Sequence, residues 1–211
     1  MNAIFGMVAG MKFLPPNIRV QLVQKLGVSR TTSAASQLLK LYASRDPGIQ
    51  AEIQTAIRSL GVVVVEPAMR QLSLPIPPTQ RAAAEALAMV GPDAAPAMQL
   101  LTQQLDSPVL DLRAAALTAI GSVGSGAAPS VERVARHLSS DHIKEAAAAA
   151  TALGRIGPAA KPAVPQLMGL VGHRDKAVRD AAGNAVGKIG PITRVFVPTL
   201  IEQLDHDDVG V

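Results

Sequence analysis

The residues best suited to acid–base or metal chemistry are four histidines, His137, His142, His173 and His206. His173 and His206 stand 33 residues apart, and if the chain folds on that interval they occupy equivalent loops about 10 Å from each other. That is too wide for a single metal, whose ligands converge to about 2 Å. Gly121-Ser-Val-Gly124-Ser-Gly126 has the glycines of a phosphate-cradling loop but lacks the Lys-Ser/Thr that completes one. Val28–Ser36, VSRTTSAAS, reads as a turn and helix start. There is no cysteine, so thiolate and disulfide chemistry are excluded. No nucleophile, base and orienting group fall together. The expectation is a chain that is not an enzyme, with no cofactor and no metal.

The elements that would hold any site are apolar and almost free of rings. Of 211 residues 48% are hydrophobic but only 2% aromatic, which suits closely spaced helices better than sheets. The formal charge is +4. Residues 1–80 carry eight basic and three acidic side chains, and the chain ends acidic at Glu202, Asp205, Asp207 and Asp208. A mild basic bias draws acidic partners but falls short of the clustered Lys/Arg of a nucleic-acid binder. No apolar run reaches the ~18 residues of a membrane span. The apolar start, MNAIFGMVAGMKFLPP, has Lys12 inside it and no basic residue before it. It reads as a helix covering the open end of a core, with a peripheral membrane or partner contact as the alternative, and poorly as a leader. A cytoplasmic location is expected.

One phrase recurs: a small residue, an apolar residue, two variable positions, an apolar residue, then glycine. It ends at Gly27 (LVQKLG, faintly), Gly61, Gly91, Gly124, Gly157 and Gly190, at intervals of 34, 30, 33, 33 and 33 residues. Pro67, Pro96, Pro129 and Pro162 follow their glycines by five or six residues. Apolar residues then step by three and four: Met98, Leu101, Leu105; Val131, Val134, Leu138; Val164, Leu167, Val171; Val197, Leu200, Leu204. That stepping is one face of a helix. Asp46, Asp106, Asp141 and Asp175 stand upstream as helix N-caps. Each unit is thus a long helix ending at glycine, a short proline-marked turn, and a second helix. Small residues at Gly121, Gly154, Gly187, Ala152 and Ala185 let neighbouring helices approach closely. Ser73–Gln80, SLPIPPTQ, interrupts the second-to-third junction and predicts a longer connection between the helices of a unit, or a kink.

Asp175–Gly190, DKAVRDAAGNAVGKIG, with the preceding PAAKPAVPQL, resembles the HEAT repeat, most of all the short bacterial form also found in phycobilisome-lyase subunits. The resemblance runs over about residues 17–209. It implies an all-α fold, a right-handed α-solenoid of about six two-helix HEAT-like repeats. Residues 1–16 would form an N-terminal apolar cap, and 17–211 a single array that breaks off at Asp208 inside a further unit. Two HEAT-type enzymes fit poorly. Deoxyhypusine hydroxylase needs several His-Glu pairs, and His206-Asp207 is the nearest approach here. Alkylpurine DNA glycosylases use aromatic residues in a basic cleft, against only Phe5, Phe13, Tyr42 and Phe196 here.

The resemblance also implies that the second helices line the concave side. Their outward positions form one rung of Leu100, Arg133, Gln166 and Thr199, with Gln71 offset by one. A further rung holds Gln103, Gln104, Arg136, His137 and Gln203. These ten are the candidate partner-binding residues. Lys161, Arg194, Arg155 and Lys188 form a basic ladder, although cations near helix C-termini are favoured by the dipole alone. The reading is a non-catalytic protein-binding scaffold with a protein partner, acidic in character, and end-to-end packing through the uncapped last repeat. One alternative is a bilin lyase or isomerase subunit acting on phycobiliproteins. Another is nucleic-acid binding through the basic N-terminal half, which the weak charge clustering disfavours.

The register makes Leu153 a core position, so Leu153→Asp buries an unpaired charge and should cost on the order of several kcal/mol. A circular-dichroism melt indistinguishable from wild type would show that the register is wrong.

Overall fold

The computed structural model describes residues 14–190. The cap expected over 1–16 lies outside them except for its last three residues, as do Thr199, Gln203, Arg194, His206 and the acidic end.

Among the described residues every regular element is helical. The long helices are α1 Pro16–Val28, α3 Gln50–Leu60, α5 Pro77–Val90, α7 Leu110–Val123, α9 Ile143–Ile156 and α11 Lys176–Ile189. The second helices are α2 Thr32–Ala43, α4 Val65–Leu72, α6 Met98–Gln103, α8 Val131–Ala135 and α10 Val164–Val171. They alternate along the chain, giving five complete helix pairs and the first helix of a sixth, an α-solenoid.

At the ends of α3, α5, α7 and α9 the backbone turns through a glycine with positive φ: 54° at Gly61, 78° at Gly91, 71° at Gly124 and 80° at Gly157. A side chain would be strained there, which is why the phrase ends in glycine. The link that follows is a 3₁₀ helix running into the second helix, as at Gly91–Ala97, Gly124–Ser130 and Gly157–Ala163, in place of the short turn expected. Its three-residue period turns Ala94 and Ala97, Ala127 and Ser130, and Ala160 and Ala163 into the core. Pro96, Pro129 and Pro162 lie in these segments.

Two boundary expectations need correction. Gly27 does not end a helix; it lies inside α1, and the positive φ of that unit falls on Arg30, at 48°. Of the four aspartates only Asp175 caps a helix, accepting from the Ala177 amide at 2.8 Å. Asp46, Asp106 and Asp141 fall short because their helices begin later, at Gln50, Leu110 and Ile143. Asp46 and Asp106 instead pair with Arg19 and Arg133.

Stacking is tightest between long helices, α7 on α5, α9 on α7 and α11 on α9. A Cβ placed on Gly121 would lie 2.6 Å from the Ala152 Cα, and one on Gly154 2.7 Å from the Ala185 Cα. Glycine facing alanine therefore sets the spacing. Gly27 does the same toward Ala56, at 2.8 Å from its Cβ. No described residue approaches Gly187 in this way. The core is continuous through Leu38, Ile57, Leu87, Leu117, Ile120, Leu153 and Leu167. The proline-rich break lies between α4 and α5, not between the helices of one unit. It is short, and Pro77 opens α5. Here α5 rests on both α2 and α3, so the stacking changes at this junction.

The continuous helical run Leu110–Ser139 is long and apolar enough by composition to cross a membrane, but 61% of its most apolar window is buried inside the protein and Gly124 breaks it.

Gly154→Ala should destabilise the array by about 1–3 kcal/mol through the forced shift against Ala185, although alanine is the better helix former. Gly169→Ala, exposed on α10 with nothing within 4 Å of the added carbon, should be neutral or stabilise by up to ~1 kcal/mol. Urea titration of the two variants checks the contrast.

Candidate functional site

A groove of about 510 Å³ runs across four successive long helices. Gln54 and Arg58 of α3, Glu85 and Met89 of α5, Asp111 and Thr118 of α7, and Lys144 and Arg155 of α9 form its sides, with Tyr42 of α2 beside them. Its floor is alanine: Ala88, Ala114, Ala115 and Ala148. The small side chains that let these helices stack also keep the floor low.

Most of its charge is internally paired. Lys144 bonds Asp111 across the α7–α9 step, and this contact holds the Asp111 carboxyl below its ordinary range. Arg81 donates to Glu85 at 2.6 Å, and Arg45 approaches the same carboxylate at 3.8 Å. Gln54 donates to the Tyr42 hydroxyl at 3.3 Å, while burial pushes the tyrosine pKa up. Arg58 and Arg155, both exposed, meet no acidic side chain among the described residues.

Of the ten residues expected from the second helices, the eight that are described do not line this groove. Arg136 and Gln166 line a different one, of similar volume, with Ala135, Leu138, Ser139, Gly169 and Leu170 between α8 and α10. Gln103 is exposed; Leu100 and Gln104 are half-buried. Arg133 is tied to Asp106 and Arg136 to Glu132 at 2.8 Å. Gln71 is not on the surface: it is 7% exposed, and its Oε1 has no hydrogen-bond partner. It lies ten residues after Gly61, in register with Leu101, Val134 and Leu167, all core residues. The offset of one residue moved it onto the inner face. His137 is also misplaced by the sequence reading, as described below.

The description "HEAT repeats" fits residues 131–211 by family model. No curated protein matches the chain in sequence. Solved structures do match in fold. An archaeal HEAT-like repeats protein from Thermococcus onnurineus NA1 superposes with a TM-score of 0.55 at 12% identity, over 92% of this chain and 87% of that one. The complex of CpcE and CpcF of phycocyanin lyase from Nostoc sp. PCC7120 gives 0.50 at 22% identity, over 86% and 75%. A designed armadillo repeat protein in complex with peptide (KR)4 gives 0.56 at 15%, over 82% and 92%. Residues 131–211 thus match the HEAT-repeat family, and the described chain has the fold of HEAT- and armadillo-like solenoids.

Within this solenoid the strongest polar cluster is structural, and the sequence reading missed it. Glu145 of α9 is 2% exposed. It accepts from Arg113 Nε at 2.8 Å and Nη2 at 2.7 Å and from Ser140 Oγ at 3.0 Å. His137 Nδ1 lies 2.6 Å from Glu145 Oε1, which turns that side chain inward from the expected rung. Arg113 also donates to the Ser107 carbonyl at 2.9 Å. Arg179, two repeats on, bonds the His173 carbonyl, again six residues upstream, at 2.7 Å. These two arginines, at equivalent positions of their long helices, thus each brace the loop that enters their own helix. The available signal was register: Glu145 occupies the position held by Leu112 and Val178 one repeat to either side, both buried. Among the described residues no three His, Asp or Glu side chains gather as metal ligands.

Arg113, with His137 and Ser140, holds the Glu145 carboxyl at about 2, against an ordinary 4.5. A depressed acid stabilises fully above its unfolded value and loses that contribution as pH falls. Glu145→Gln should therefore cost on the order of 3 kcal/mol near neutral pH, since it leaves the half-buried Arg113 unmatched. The wild-type advantage should shrink as pH falls from about 4.5 toward 2. Urea midpoints of both proteins across that range check this; a difference independent of pH would refute it.

Proposed function

We propose that this solenoid is a non-catalytic scaffold that binds a protein partner in the groove across its long helices. The observation that carries the reading is the continuity of that groove over four repeats, with a floor of alanines that leaves room for another chain. Extended curved surfaces of this kind are what solenoids present to partners. The acids of the groove are engaged with neighbouring cations, which suits a surface that holds better than one that transfers protons. Similar folds accommodate a peptide in the designed armadillo protein and a second chain in the CpcE–CpcF complex, and the same use is proposed here. The groove between α8 and α10 is shorter, involving two repeats.

Affinity capture from cells of the source organism tests the reading with two variants. Thr118 is exposed on the groove and Gln166 is exposed on the second helices. A protein retained by wild type and by Gln166→Arg, but lost by a normally melting Thr118→Arg, is the expected result. Loss from Gln166→Arg alone would move the site to the second helices, and retention unaffected by either substitution would overturn both placements.

A further inference from the structure

Resting on that placement of the binding face, we infer that the groove takes an extended acidic peptide segment, with carboxylates meeting Arg58 at one end and Arg155 at the other. The charges of the groove support this. Its two acids are already engaged, Asp111 by Lys144 and Glu85 by Arg81 and Arg45. Its two unmatched charges, among the described residues, are guanidinium groups. A basic segment would find only satisfied acids and would face Arg58 and Arg155 uncompensated; an acidic one supplies what both lack. Each arginine lies near the C-terminal end of its helix, α3 ending at Leu60 and α9 at Ile156, and the helix dipole favours it there. The dipole accounts for their presence at helix ends but leaves the groove's unbalanced charge in place. Lys188, one repeat beyond Arg155 and likewise without an ion pair among the described residues, continues the basic edge.

The length of the groove suits a short extended segment. From α3 to α9 there are three interhelix steps of about 9 Å, or roughly 27 Å. An extended segment spans that distance in about eight residues at ~3.3 Å each. The alanine floor accepts a backbone and small side chains, and Arg58 and Arg155 would hold carboxylates near the two ends.

Fluorescence anisotropy with two labelled decapeptides, one alternating Glu and Ala and the other Lys and Ala, tests the inference on the full chain at low salt. The Glu–Ala peptide should bind about ten-fold tighter than the Lys–Ala peptide. Arg58→Glu/Arg155→Glu should erase that preference, about what two exposed ion pairs supply. Lys40→Glu/Lys161→Glu makes the same change in net charge outside the groove and should leave the preference in place. Equal affinity for the two peptides, or equal loss from both double variants, would overturn the proposal. So would an oligothymidylate of matching charge that displaces the Glu–Ala peptide and binds more tightly, since the ligand would then be a nucleic acid. If a captured protein partner is lost with Thr118→Arg but indifferent to Arg58→Glu/Arg155→Glu, the scaffold reading stands and the acidic segment falls.

Discussion

The fold depends on how closely one long helix can approach the next. At Gly121 and Gly154 the facing backbone lies so near that a single methyl group would collide with an α-carbon. A helix pair has too little apolar surface to hold itself together, so its stability comes from contact with its neighbours. Contact at this distance gives dense packing with small side chains, and it explains how a chain with 2% aromatic residues builds a continuous core. The same choice makes the groove. Alanine on the stacked helices lowers the floor at Ala114, Ala115 and Ala148, while the charged residues that flank it lie at the helix margins.

The repeat also tolerates polar residues in its interior, with different consequences. Glu145 replaces an apolar residue of the core register and is matched by a guanidinium group, a hydroxyl and an imidazole. It locks α7, α9 and the loop between α8 and α9. Gln71 replaces a core residue too, but its carbonyl oxygen is left without a partner, and a buried acceptor without a donor is destabilising. It sits on α4, next to the junction where α5 leans on both α2 and α3. The N-terminal half of the array is thus less regular both in its stacking and in its interior. Repeats two to six keep their glycine at intervals of 30 or 33 residues, whereas the first unit turns at Arg30.

The two grooves illustrate how one repeat can offer more than one surface. The second helices have an apolar side that steps by three and four, and their outward positions are polar, so they read as an exposed ledge. They are short, α8 having only five residues, and Arg133 and Arg136 are occupied by Asp106 and Glu132. The long helices read as core because of their alanine. Yet one side of each faces solvent, and four of those sides together form a surface that no single helix has.

The sequence by itself determined the two-helix period, the glycine turns after α3, α5, α7 and α9, and most of the core face of the second helices. These are local properties: a positive φ demands glycine, and a helix repeats its inner face every three or four residues whatever surrounds it. Only the tertiary structure decided that the groove spanning four repeats lies on the long helices, because both helices of a pair have an apolar and a polar side and the outcome depends on how successive pairs stack. It also decided the fate of polar residues in the core register. Glu145 is satisfied by Arg113, 32 positions away, and Gln71 finds no donor for its carbonyl oxygen. A sequence pattern can mark such positions as exceptional, but whether a partner's side chain reaches them is settled by distances in space.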